Sequence, residues 1–128
     1  MRTEVSAAIE ELRRQFEEST VTVSDDDQGG ARVVIEPVSL GPRYRPDHTW
    51  IGFHIPAQYP YADIYPVFIG VDCARVDGQP FVPPITPGVV FENRPALQIS
   101  RRSPAASNGL QKATAKALKI LHFLETLP

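Results

Sequence analysis

The sequence predicts an α+β fold: an N-terminal helix, a four-stranded antiparallel meander, a long loop and a C-terminal helix. Three observations predict it. Apolar residues recur at helical spacing near each end of the chain, at Val5, Ile9, Leu12 and Phe16 and again at Leu110, Ala113, Ala117, Ile120, Leu121, Leu124 and Leu127. Between them lie short β-branched runs separated by turn residues. One stretch, His48–Asp72, then joins two apolar strands through a crossing that carries two Tyr-Pro steps, Tyr59-Pro60 and Tyr65-Pro66.

The first helix is expected over Thr3–Glu18, with Thr3 as its N-cap, Glu4 in its first turn and Glu10, Glu11, Arg13, Arg14, Glu17 and Glu18 on a solvated face. Thr20–Ser24 reads as a strand with Val21 and Val23 facing inward. Asp25-Asp26-Asp27 and the glycines after it read as a solvated hairpin turn, because a calcium loop needs alternating oxygen ligands and a distal Glu. Ala31–Leu40 is the second strand, with Pro37 marking an edge or a bulge, and Gly41–Asp47 is a turn.

The third strand, His48–Pro56, puts Ile51, Phe53 and Ile55 on one face and Trp50, Gly52 and His54 on the other. Proline removes a ladder donor and keeps the preceding residue out of helix, so Pro56–Pro66 is expected to be an extended, stiff crossing. Trp50, Phe53, Tyr59 and Tyr65 are placed at or near the core around it. Val67–Val71 is the fourth strand. Cys73–Pro95, with Pro80, Pro83, Pro84 and Pro87, reads as a long irregular loop packed down by Phe81, Val82, Ile85, Val89, Val90 and Phe91. Ala96–Ile99 is a short strand-like piece, Ser107 or Asn108 caps the last helix, and Gly109–Leu127 forms it, with Lys112, Lys116 and Lys119 on a basic face.

A chain of 128 residues suits one domain, 1–128, able to bury roughly two-thirds of its unfolded surface without metal or disulfide. Cys73 is the only cysteine, which excludes a disulfide framework and points to a reducing interior. Met1 leads into charged residues rather than an apolar signal segment, and no run is long enough to cross a bilayer, so the chain reads as cytoplasmic with no membrane partner. A net charge of -2 gives no pull toward nucleic acid.

Residues suited to chemistry are few. His48, His54 and His122 have no carboxylate or cysteine at ligand spacing, so no metal is expected, and without a glycine-rich phosphate loop no cofactor is expected. Cys73 is a candidate nucleophile if positive neighbours such as Arg75 lower its pKa, and a small buried apolar residue otherwise. Ser100 and Ser103 flank Arg101 and Arg102, a cluster suited to holding an anion or carrying an activated serine. No His/Asp partner stands beside it in sequence.

The element order and the crossing resemble the ubiquitin-conjugating (E2, or UBC-like) fold. IGFHIPAQYPYADIYPVFIGV is similar to that family's hydrophobic third strand, Tyr-Pro crossing and apolar fourth strand, and the helix from Thr114 to Leu124 resembles the helix that follows its active site. The whole chain looks like one of the divergent bacterial E2-like families that accompany E1-like and ubiquitin-like proteins. The family's His-Pro-Asn motif is absent here, since none of the histidines precedes a proline. In the register that the family gives its cysteine ahead of the helix threonine, here Thr114, stands Ser100, and Cys73 comes too early.

The resemblance implies a component of a bacterial ubiquitin-like conjugation pathway that is catalytically silent and binds a ubiquitin-like protein or an E1. Two alternatives stand beside it. One is an active, atypical conjugating enzyme that carries its cargo as an oxyester on Ser100 or a thioester on Cys73. It would take oxyanion donors from the Pro80–Pro95 loop. The other is an unrelated interaction domain on the same fold.

Overall fold

A computed structural model describes residues 1–103 and 111–128. Helix α1 spans Thr3–Gln15, and the strands are β1 (Thr20–Asp25), β2 (Ala31–Ser39), β3 (Tyr44–Arg45), β4 (His48–Ile55), β5 (Val67–Gly70), β6 (Ala74–Arg75), β7 (Ile85–Phe91) and β8 (Arg94–Ile99). Helix α2 spans Ala113–Glu125. The fold is α+β, as expected, and the main sheet is antiparallel throughout in the order β1-β2-β4-β5-β8-β7.

The expected four-stranded meander is therefore the first part of a six-stranded sheet. The difference arises in Cys73–Pro95, where about half of the expected loop is strand. Pro87 fits because β7 is an edge strand, where a missing N–H can leave no ladder bond unmade, and Pro80, Pro83 and Pro84 lie outside the strands. Pro87 and Gly88 fall where the register between β7 and β8 shifts, in a bulge. Glu92 and Asn93, both at positive φ, make the two-residue turn between Phe91 and Arg94. Of the apolar residues expected to pin this segment, Ile85 and Phe91 are buried, Phe81 and Val89 are half-buried, and Val82 and Val90 face solvent.

Other departures are local. The Gly41–Asp47 turn contains β3, which pairs with β6, and its Tyr44 is buried with its hydroxyl donating to Leu124 O at 2.5 Å. The first half of Pro56–Pro66 is built from turns rather than extended chain, with Tyr59 N–H donating to Pro56 O and Tyr61 N–H to Gln58 O. Arg2, not Thr3, is the N-cap of α1, and no side chain caps it. Lys112 takes that place in α2, and the expected cap Ser107 or Asn108 lies outside the described residues. Pro37 does mark a bulge, between Ile35 and Val38 of β2.

Both helices pack on one face of the sheet. Val5, Ile9 and Leu12 of α1 and Ala117, Ile120 and Leu124 of α2 share one buried cluster with Ile51, Phe53 and Ile55 of β4. Burying such side chains fully contributes about 2 kcal/mol each, so this layer dominates stability. The opposite sheet face holds a smaller cluster of Val34, Trp50, Phe91 and Ala96, with Phe68 and Val89 against it. Phe91 stacks on Phe68 with centroids 4.7 Å apart. Gly52 makes this possible, because a Cβ there would meet the Phe91 ring at 2.8 Å. Arg94 closes the cluster over Trp50, 5.5 Å from the ring, while its guanidinium donates to both carboxylate oxygens of Glu36.

In the aspartate turn Asp25 accepts from Asp27 N–H at 2.7 Å, and Asp26 makes more contacts. Asp26 Oδ1 accepts from Gln28 N–H at 2.8 Å and Gly30 N–H at 2.9 Å, and Oδ2 lies 2.6 Å from His54 Nε2. The hydrogen bond from His54 is the main cause holding the Asp26 carboxyl down at about 2. No helix among the described residues is long and apolar enough to cross a membrane.

Candidate interaction site around Ser100

Ser100 follows the last residue of β8 and is tied at both ends of its backbone environment. Its N–H donates to Pro84 O at 2.9 Å, and its Oγ accepts from the Gln98 side-chain amide at 3.1 Å. Among the described residues no histidine or carboxylate makes a hydrogen bond to that hydroxyl, so nothing is placed to take its proton. The Pro80–Pro95 segment turns a carbonyl toward Ser100 at this contact. Pro83 and Pro84 have no N–H to offer an oxyanion there.

Cys73 lies at the far end of β5 from this segment and is buried, its thiol donating to Gly70 O at 3.4 Å. Burial pushes the thiol up to about 11, with Asp72 adding to the effect. A nucleophilic cysteine needs access and a depressed pKa, and Cys73 has the opposite of both.

The group that organises the site is one the sequence reading put elsewhere. Lys116 was expected on a solvated basic face, but it is only 4 % exposed. Its ammonium donates to Asp63 Oδ1 at 3.1 Å, Arg101 O at 2.8 Å and Ser103 Oγ at 3.1 Å. All its donors are thus used. Asp63 Oδ2 in turn accepts from Ser103 N–H at 2.8 Å. Burial lowers the Lys116 pKa, and the Asp63 carboxylate works against that shift. The spacing held a signal: Lys116 lies three residues after Ala113 and four before Ile120, on the buried stripe itself. Asp63, in the crossing, had no such marker.

The lock joins three elements. Tyr59, also in the crossing and buried, accepts from Ala113 N–H at 3.1 Å through its hydroxyl and so satisfies an N-terminal donor of α2. Arg101 and Arg102 project from the locked segment, both exposed at residue level. The Arg101 guanidinium lies 4.2 Å from the Phe123 ring centroid, and that of Arg102 lies 3.9 Å from the Tyr65 ring centroid. Tyr65, expected at or near the core, is half-buried and lies under the Arg102 guanidinium.

Comparison of the chain with protein-family models, with curated proteins and with solved structures finds no match. Among the described residues, no group of His, Cys, Asp and Glu side chains is gathered to hold a metal ion.

Proposed function

We propose that this chain is a catalytically silent, E2-like module that acts by binding a ubiquitin-like protein or an E1. The architectural support is an antiparallel meander with both helices on one face and a Tyr-Pro crossing anchored against the last helix. The observation that carries the silent reading is Ser100, whose hydroxyl meets an amide where a base would have to stand. Without a base a serine hydroxyl is a poor nucleophile at neutral pH, and the buried, protonated Cys73 does not replace it.

Incubation with the cognate E1, the ubiquitin-like protein and ATP tests this, with intact-mass measurement as the readout. The expected result is a complex with no covalent adduct on the chain. An alkali-labile adduct mapped to Ser100 and lost in Ser100→Ala would overturn it, as would a thiol-labile adduct lost in Cys73→Ala.

A further inference from the structure

Beyond the lock, Arg101 and Arg102 with Lys119 of α2 form a positive strip on the same flank. A shallow cavity of about 320 Å³ is lined by Arg101, Arg102, Lys119, Ile120, His122 and Phe123. Lys116 also borders it, but its charge is committed to Asp63. Among the described residues no carboxylate lies within ion-pair distance of Arg101, Arg102 or Lys119. Residues 104–110 (PAASNGL) contain no acidic side chain that could neutralise them. Lys119 and Arg101 each push the Lys116 pKa down, as like charges held close to it do. Three free cations in one place stand out on a chain whose net charge is -2.

The form of the strip selects its occupant. A single phosphate is best held by donors converging on one point. Here the cations come from two elements, Arg101 and Arg102 from the segment after β8 and Lys119 from α2, and each guanidinium rests on its own ring. Stacking also restricts both side chains before any partner arrives, so less rotamer entropy is lost on binding. Their backbone is fixed by the Lys116 lock through Arg101 O and by Ser103.

We propose that Arg101, Arg102 and Lys119 form a docking strip for an extended acidic segment of a partner protein. The strip rests on charge geometry alone and goes beyond the E2-like reading, so failure of the adduct experiment leaves it untouched. Its affinity is electrostatic, and it weakens as ionic strength rises from about 0.01 M to about 0.1 M, where the screening length falls from about 30 Å to about 10 Å.

The test is fluorescence anisotropy with a fluorescein-labelled peptide alternating Glu and Ser, with the full chain as receptor. Arg101→Glu with Arg102→Glu is expected to weaken binding at least about tenfold, and Lys119→Glu several-fold. Lys119 takes no part in the stacking or the lock, so it keeps the test decisive if the arginine pair fails to fold. Arg14→Glu with Arg45→Glu, which changes net charge equally at exposed sites elsewhere, is expected to leave affinity within about twofold. Equal loss in this control pair would overturn the proposal, since net charge alone would then explain binding. Displacement of the peptide by inorganic phosphate at equal concentration would overturn it in favour of a single-anion site. Self-association that disappears with Glu17→Lys and Glu18→Lys would assign the strip to a second copy of the chain instead.

Discussion

On one flank of α2, Lys116 is sealed between Asp63, Arg101 O and Ser103, and every donor it has is spent inside the molecule. On the other flank, Leu118 is 42 % exposed beside an open groove of about 950 Å³. The end of α1, the Pro37–Ser39 part of β2 and Glu125 line that groove. The two lysines of the helix repeat the contrast within one turn, Lys116 buried and Lys119 exposed. A charge near the fold's centre is used to hold the Ser100–Ser103 segment in place, while Lys119, one turn on, is exposed. Fixing that segment by a buried ion pair is costly in desolvation and repays it only while every partner is present.

Perturbing the sealed flank is expected to have the largest effect. Lys116→Ala, which leaves Asp63 without its counter-charge, should lose about 3 kcal/mol of stability in urea unfolding. Replacing both partners with apolar residues, Lys116→Met with Asp63→Leu, should lose much less, and an equal loss would show that packing rather than charge is at stake. Next comes Tyr59→Phe, which removes the acceptor for Ala113 N–H. It should cost about 1 kcal/mol and increase hydrogen exchange at the start of α2.

Away from α2, the β1–β2 turn supplies a pH test. The folded pKa of Asp26, about 2, lies below its ordinary 3.8. Its contribution is therefore fully present above the ordinary aspartate range and is lost as pH falls from 3.8 toward about 2. Asp26→Asn should flatten that part of an acid-unfolding profile, and an unchanged slope would mean that the His54 contact contributes nothing. The smallest effect belongs to the open flank. Leu118→Ala should change stability by less than about 0.5 kcal/mol, as expected for a half-exposed side chain away from caps and ion pairs. A larger loss would mean that the groove is closed in solution.

The elements that sequence made legible are those whose pattern is local. The alternation of Ile51, Phe53 and Ile55 against Trp50 and Gly52 sorts into the two clusters on opposite sheet faces. Helical spacing located α1 and α2, although the ends drifted: Phe16 falls at the C-cap rather than within α1. What was not legible depends on distant partners. The prolines of Cys73–Pro95 spelled loop because sequence does not say which strand lies at an edge or where it bulges, and β7 tolerates Pro87 because it has both features. Lys116 stands at the spacing of the buried stripe, but the carboxylate that neutralises it lies 53 residues away in the crossing and had no marker. At the site, Ser100, Arg101 and Arg102 could be singled out from sequence, but their aromatic platforms and the lock beneath them could not.

The central claim, that the chain binds rather than reacts, is tested most directly by calorimetric titration of the ubiquitin-like protein into the wild type and into a Ser100→Ala, Cys73→Ala double variant. The proposed docking needs neither hydroxyl nor thiol, so the predicted result is the same dissociation constant within about twofold for both proteins. Loss of binding in a double variant that still folds would contradict the account and return Ser100 or Cys73 to the centre of the function.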